Sequence, residues 1–371
     1  MRQKRRILSI TVASVFFLAI ACTRSLRQDA LQTAKFGSTT AQQMADYYGV
    51  IQKYTIDTYE LDQFREAYLR QLAYNRAKEK GEQPATTPSF EFTQVDRDIQ
   101  ELSQKTYDAL GARSQLALAM KDAYDAYVNL ASYDSTQEVL GAVSGLTKAA
   151  VAVSSLPLPD PTGTITGLAQ GILKDFITEL TTIQQNKKLV QQSEKLIPAL
   201  EKLKKFFDTE QPLCGGDYDT KDSAGNIRHP TGIAGRKSAA YESAARVLVE
   251  GEVVISTAFV NRVLEQYQLK WPEPQAPFAQ SALKAGVIKM IEGRSHPIGR
   301  LADDTANQLS RSLGKLITLH NELKQKKPLS WTEALNNSAT AQLLLNRMKS
   351  QGAPVDSLVQ VMTLLQGGQS R

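Results

Sequence analysis

Residues 44–72, MADYYGVIQKYTIDTYELDQFREAYLRQL, hold large side chains at alternating steps of three and four residues. Of the nine positions on this stripe, seven are apolar or aromatic: Met44, Tyr47, Ile51, Tyr54, Leu61, Tyr68 and Leu72. This spacing is typical of a helix that packs in a coiled-coil-like bundle. The stretch belongs to a longer segment, from Thr40 to Lys80, which has no Pro and one Gly and begins with the capping-box pattern Thr40–Gln43. The sequence therefore predicts one long helix here and an all-α fold.

A second long helix is predicted from Thr93 to Tyr133, after a breaker segment that contains Gly81, Pro84 and Pro88. We expect one apolar face of this helix to be buried, and that face carries Ile99, Leu102, Ala109, Leu116, Met120, Ala123, Tyr127 and Leu130. Two helices of about 40 residues joined by a short loop form an antiparallel hairpin, which is about 60 Å long at 1.5 Å per residue. An elongated shape follows.

The remaining periodic segments also predict helices. A third helix is expected from Thr166 to Phe207, with a kink or a break near Leu196 because Pro198 removes one backbone hydrogen bond. A fourth is expected at 237–269, and four shorter ones follow at 278–292, 301–326, 330–351 and 355–366.

The predicted fold is an elongated antiparallel bundle of long helices with a smaller C-terminal helical region. We divide the chain into a signal peptide at 1–21, a flexible tether at 22–38, a long-helix bundle at 39–270 and the C-terminal region at 271–371. The bundle includes an apolar hairpin at 139–173 and a loop at 208–236. The C-terminal helices either form a domain of their own or lie against the long helices.

The N-terminus has the plan of a secretory signal: MRQKRR, then the uncharged run ILSITVASVFFLAIA, then Cys22. This run is short for a membrane-spanning helix, which needs about 20 apolar residues. The junction Ala19-Ile20-Ala21-Cys22 resembles the lipobox of bacterial lipoproteins, in which the Cys thiol receives a diacylglycerol group and becomes the first residue after cleavage. The resemblance implies a lipid anchor at Cys22. Thr23 is not the Asp that favours the inner membrane, which implies the outer membrane.

The charge of the chain argues against nucleic acid as a partner. Its 44 basic and 38 acidic residues give a formal charge of +6, but Arg2, Lys4, Arg5 and Arg6 belong to the expected signal. Without them, 40 basic residues face 38 acidic ones, and the excess is only two charges. So small an excess does not provide the basic surface that a phosphate polymer requires.

Residues 139–173, VLGAVSGLTKAAVAVSSLPLPDPTGTITGLAQGIL, carry only two charged side chains, Lys148 and Asp160. An apolar hairpin between two long helices resembles the layout of α-helical pore-forming cytolysins of the haemolysin E and enterotoxin type. The resemblance implies that the hairpin contacts a membrane or a protein partner. The candidate contact residues are Leu146, Val151, Val153, Leu156, Leu158, Ile165 and Leu168. Alternatively, the Gly, Ala and Ser residues of the hairpin allow it to pack closely against the long helices.

The sequence offers no recognisable catalytic or metal-binding motif, since HExxH, GxSxG, CxxC and a Gly-rich phosphate loop are all absent. The three histidines, His229, His296 and His320, are scattered. Once Cys22 is acylated, Cys214 is the one remaining thiol, so no disulfide can form within the chain. Its role is either that of an intermolecular or reactive thiol or that of an inert loop residue.

These observations favour a membrane-anchored envelope lipoprotein that acts as a helical scaffold, adaptor or binding module. Its expected partners are the membrane, through the lipid, and a protein of the cell envelope; no cofactor and no nucleic acid is expected. Two alternatives stay open. One is a membrane-inserting protein with the cytolysin-like layout, and the other is an enzyme or ligand-binding protein whose site no motif reveals.

Overall fold

The structure is a computed structural model that describes residues 2–82, 94–132, 136–160, 162–185, 196–216, 232–250, 277–325, 327, 329 and 331–351. Within these residues the secondary structure consists of eight helices: α1 (Arg2–Glu79), α2 (Gln94–Ser132), α3 (Thr136–Ser155), α4 (Thr164–Gln185), α5 (Ile197–Cys214), α6 (Ile233–Glu250), α7 (Pro277–Lys324) and α8 (Trp331–Gln351). The predicted all-α bundle of long helices is confirmed.

The first two predicted helices, α1 and α2, pack as the expected antiparallel pair. Side-chain hydrogen bonds mark one register along the whole contact: Ser38 with Asp125, Ser114 with the carbonyl of Ala45, Gln52 with the carbonyl of Tyr107, and Arg70 with Asp96. The helices approach closely at Gly37, where the ring of Tyr124 occupies the space that a Cβ would need. A side chain at position 37 would push α2 away from α1.

One continuous hydrophobic core joins α1 and α2 to the hairpin α3–α4, to α5, and to α7 and α8. Its largest fully buried side chains include Tyr47 and Phe207, whose rings meet edge to face with 6.0 Å between centroids. A second, smaller cluster joins α1 to α6 through Leu61, Ala240, Tyr241 and Ala244. The described part of the C-terminal region therefore lies against the long helices and shares their core.

The prediction of a flexible tether at 22–38 is wrong, because α1 continues through this segment. The side chains of Thr33, Ala34 and Phe36 are buried, so the core-facing stripe of α1 begins well before Thr40. Thr40 consequently lies inside the helix, where its buried hydroxyl has no hydrogen-bond partner, and does not act as a cap. Burial of these side chains stabilises the helix before Thr40 and outweighs the capping signal.

α5 agrees with the prediction at one proline and differs from it at another. α5 begins at Ile197 with Pro198 in its first turn, as the predicted break requires, but it continues through Pro212 to Cys214. The loop predicted at 208–236 is therefore wrong for residues 208–214 and for residues 233–236, which open α6. Residues 217–231 lie outside the described part. Leu213 and Cys214 are buried in the core, and this packing offsets the hydrogen bond lost at the proline.

The helices predicted at 278–292 and 301–326 are a single helix, α7, which passes through Pro297 without ending. From Ile298 onward, α7 presents one unbroken buried stripe to the bundle: Ile298, Ala302, Thr305, Leu309, Ser312, Leu316 and Leu319. Burial of this stripe outweighs the cost of an internal proline, about 3 kcal/mol. The helix predicted at 330–351 is confirmed as α8. The helix predicted at 355–366 and most of the one predicted at 237–269 lie outside the described residues.

Candidate membrane- and partner-binding surfaces

The hairpin α3–α4 packs onto the bundle along one face. Three of the seven predicted contact residues, Leu146, Val153 and Leu158, are buried in the common core. They stabilise the packing of the hairpin and do not lie on its surface. Small residues at Ala150 and Ala169 are buried as well, which is the close packing that the Gly- and Ala-rich sequence allows.

The other four predicted contact residues lie at the end of the hairpin, which we call the hairpin tip. Val151, Leu156 and Leu168 are 49%, 37% and 56% exposed, and Ile165 is half-buried. They come from the last turn of α3, the first residue after it and the first two turns of α4. The structure thus places exposed apolar side chains at the hairpin tip, close in sequence to the buried Val153 and Leu158.

Asp160 orders the loop between α3 and α4. Its two carboxylate oxygens accept hydrogen bonds from the hydroxyl and backbone N–H of Thr162 and from the backbone N–H groups of Ile165 and Thr166. The carboxylate therefore caps the N-terminus of α4. Desolvation acts in the opposite direction, but these hydrogen bonds prevail and lower the pKa of Asp160. The ionised carboxylate of Asp160 therefore stabilises the loop and the first turn of α4.

A buried ion pair fastens the hairpin to the bundle. The guanidinium of Arg113 in α2 donates two hydrogen bonds to the two carboxylate oxygens of Glu210 in α5, from Nε at 2.6 Å and from Nη2. Its remaining nitrogen, Nη1, donates to the carbonyl of Leu156 at 2.9 Å, directly at the end of α3. Burial alone would lower the pKa of Arg113, but the charge and hydrogen bonds of Glu210 raise it. Arg113 is therefore the point at which α2, α5 and the hairpin tip meet.

Beyond the bundle, α1 and α2 continue as a two-helix extension, which we call the arm and define as residues 62–79 and 94–105. Asp96 is the only buried side chain in these two ranges; it pairs with Arg70 across the two helices at 3.4 Å. At the base of the arm, Arg65 donates to Ser243 of α6. The arm thus consists of two helices that bury little of their own apolar surface.

The apolar face of α2 continues from the bundle into the arm. Ten positions at alternating steps of four and three define this α2 stripe: Val95, Ile99, Leu102, Thr106, Ala109, Arg113, Leu116, Met120, Ala123 and Tyr127. The seven from Thr106 onward are buried, but Val95, Ile99 and Leu102 are 64%, 40% and 45% exposed. The prediction that Ile99 and Leu102 lie on a buried face is wrong in this structure, because both lie beyond Thr106, where the buried part of the stripe ends. α3, which packs along α2 in the bundle, ends at the level of Arg113 and does not reach them.

A second buried ion pair joins α6 to α1. The ammonium group of Lys237 lies 2.6 Å from the Asp57 carboxylate and 3.9 Å from the ring centroid of Tyr54, and the Lys237 side chain is fully buried. The Tyr54 hydroxyl donates to the carbonyl of Met348 in α8. This chain of contacts connects three helices at the base of the arm, and nothing in the amino-acid pattern indicated it.

His320 is the one histidine whose side chain the structure describes. Its Nε2 lies 3.0 Å from the hydroxyl of Tyr124, while its buried Nδ1 has no hydrogen-bond partner. Burial lowers the pKa of His320 to about 4, so the ring is neutral at ordinary pH. This histidine is a core residue that links α2 to α7. The side chain of His296 and all of His229 lie outside the description.

The cysteine thiol that the sequence left undecided is buried. Cys214 lies at the end of α5 in the common core. Burial first, and the nearby Glu210 carboxylate second, raise the pKa of its thiol, which keeps it protonated and unreactive. The inert role is therefore the one that this environment supports. Cys22 falls within α1, in the part of that helix whose side chains are not described.

An open groove of about 470 Å³ lies between α1, α2 and α8. Val50, Tyr54, Leu118 and Met348 supply apolar walls, and an ion pair of Lys349 with Asp46 at 2.8 Å stands at the rim. Within the described residues, no group of three His, Cys, Asp or Glu side chains is placed to hold a metal ion.

None of the helices in the described part of the chain is long and apolar enough to cross a membrane. Comparisons of the whole sequence with protein-family models and with curated proteins, and of the fold with solved structures, give no match.

Proposed function

We propose that this chain is a lipid-anchored lipoprotein of the cell envelope, most simply of the outer membrane, and that it acts as an elongated helical scaffold. The lipid is carried by Cys22, and the arm is the part of the molecule that meets another protein. This proposal combines the signal-like N-terminus with the architecture of α1.

The observation that carries the proposal is the continuity of α1. One helix passes through Cys22, through the bundle and into the arm, where it ends at Glu79. At 1.5 Å per residue, the distance from Cys22 to Glu79 along that helix is about 85 Å. A helix of this length fixes the position of the arm relative to the lipid, which is what a scaffold requires and what a compact enzyme does not need.

The anchoring test uses the two cysteines as a matched pair. Cys22→Ser should leave the chain unprocessed or move it out of the membrane fraction, whereas Cys214→Ser should stay in that fraction, with the same processing as the parent. Mass spectrometry of the parent should find a diacylglycerol on Cys22 as the first residue. A mature chain with an unmodified Cys22 contradicts the proposal.

A second candidate function is insertion of the hairpin into a membrane, and the exposed apolar residues of the hairpin tip favour it. Leu168→Asp should abolish leakage of dye-loaded anionic liposomes if the tip enters the bilayer. Leu343→Asp is the control, since Leu343 of α8 is 53% exposed, close to the 56% of Leu168. Neither change should lower stability, because both side chains face solvent. Absence of leakage with the parent protein would contradict insertion of the hairpin into a membrane.

A further inference from the structure

We propose that the exposed end of the α2 stripe binds a second copy of this chain, so that two arms pair in antiparallel orientation. The inference rests on the proposed scaffold function and names the partner of the arm. Three observations support it: the spacing of the α2 stripe, the charges beside the stripe and the position at which α3 ends.

The α2 stripe has, along its full length, the residue spacing of a surface that packs against another helix. Its seven buried positions in the bundle and its three exposed positions in the arm follow the same alternation of four and three, and this spacing is that of a coiled-coil seam. The hairpin that covers the seam ends where Leu156 is held by Arg113. Leu102 is eleven residues away from that point, about 16 Å along the helix. From there to Val95 the seam has no covering helix among the described residues.

The charges that flank the exposed seam match in an antiparallel pair of identical helices. Asp98 and Lys105 are seven residues apart on one side of the seam, and both side chains are exposed. When two α2 helices cross in opposite directions with Ile99 of one copy against Leu102 of the other, Asp98 of each copy faces Lys105 of its partner. A parallel pair places uncharged Ser103 opposite Asp98. Within the chain, Lys105 forms an exposed pair with Glu101 at 2.6 Å, so the antiparallel pairing exchanges Glu101 for Asp98 of the second copy. The charge pattern of the arm therefore favours an antiparallel pair of identical copies.

Three apolar side chains per copy bury less surface than the roughly 1,200 Å² of a standard stable interface. The pairing is therefore weak in dilute solution. Two lipid-anchored copies, however, are concentrated at a membrane, and confinement raises the effective concentration of each for the other. The paired molecule has two anchors, one at each end, about 130 Å apart from Cys22 to Cys22 by helix rise. The paired molecule is therefore an elongated dimer with one lipid anchor at each end.

The test is disulfide trapping of the full-length protein in its own membrane. Two differently tagged copies are co-expressed, one with Ile99→Cys and the other with Leu102→Cys, and the disulfide-linked heterodimer is quantified after mild oxidation. We expect this heterodimer to exceed by at least five-fold the yield from Leu335→Cys paired with Leu343→Cys. Those two leucines of α8 are 63% and 53% exposed and lie away from the arm.

A charge-reversal experiment tests the same pairing independently. Asp98→Lys in both copies should lower the trapped heterodimer at least five-fold, and adding Lys105→Asp to it should restore the yield. A yield equal to that of the α8 pair, or a larger yield from two copies that both carry Ile99→Cys, overturns the antiparallel pairing. The membrane fraction of the same sample reports anchoring separately, so loss of cross-linking from an anchored chain overturns this inference and leaves the scaffold proposal intact.

Discussion

Arg113 of α2 and Glu210 of α5, 97 positions apart in the chain, form a doubly hydrogen-bonded ion pair whose side chains are only 2% and 3% exposed. A buried pair of this kind adds little net stability compared with two apolar residues, but loss of one partner leaves an uncompensated charge in the core. Because Arg113 also donates to the carbonyl of Leu156, the same residue joins α2 and α5 to the end of α3.

The first prediction is that Glu210→Gln lowers the free energy of unfolding by about 3 to 5 kcal/mol, because the Arg113 charge is left buried without its counter-ion. Chemical denaturation followed by circular dichroism measures this. Glu201→Gln on the same helix is the control, since Glu201 is exposed and should change stability by less than about 0.5 kcal/mol. Equal effects of the two changes would mean that the ion pair is not buried as described.

A second prediction concerns two alanines of α3 that lie two residues apart. Ala150 is fully buried against the bundle and Ala152 is exposed. Ala150→Asp should cost several kcal/mol because it places an unpaired carboxylate in the core, whereas Ala152→Asp should be nearly neutral. Thermal melts of both variants provide the comparison. A hairpin detached from the bundle would tolerate both substitutions.

The pH dependence of stability follows from His320. An unfolded chain takes up a proton on this ring below about pH 6.5, whereas burial lowers the pKa of the folded state to about 4. The contribution is therefore fully present above pH 6.5 and is lost as the pH falls through 4, by up to about 1.4 kcal/mol per pH unit. His320→Phe should flatten the unfolding free energy between pH 6.5 and 5. An unchanged slope in that variant would show that the ring is accessible to protons in the folded protein.

The fourth prediction tests the contact between α6 and α1. Lys237→Met should destabilise the protein by about 3 kcal/mol, because the carboxylate of Asp57 loses its buried cation. Adding Asp57→Asn should recover part of the loss, and a double-mutant cycle measures the coupling. Lys53→Met, at an exposed position on the same helix as Asp57, is the control. Additive effects of the two substitutions would contradict a direct ion pair.

The sequence predicts α1 and α2 and their antiparallel pairing because their apolar stripes are long and regular. The sequence does not show which part of a stripe another helix covers. Leu102 and Leu116 occupy equivalent positions of one seven-residue pattern, but only Leu116 is buried. Coverage depends on which helices pack beside each part of α2, and such contacts join residues far apart in the chain, as Arg113 and Glu210 do.

At some residues, burial of an apolar helix face outweighed the local sequence signal for a helix end. Thr40 has the sequence of a helix cap and Pro212 that of a helix end, but both lie inside helices whose apolar faces are buried. Arg113 was the one detectable signal for the hairpin contact, since a charged residue interrupts an otherwise apolar face of α2. Its partner was not predictable, because the sequence placed Glu210 in the loop predicted at 208–236, whereas the residue lies in α5.

The central claim is that one continuous helix connects the anchored end of the mature chain to the arm. Spin labels at Gln28 and Lys78, both exposed on α1, measure this directly by pulsed electron paramagnetic resonance. Fifty residues of helix predict a narrow distance distribution near 75 Å. A broad distribution centred below about 60 Å would contradict the account, because it would mean that the segment before the bundle is a flexible tether after all.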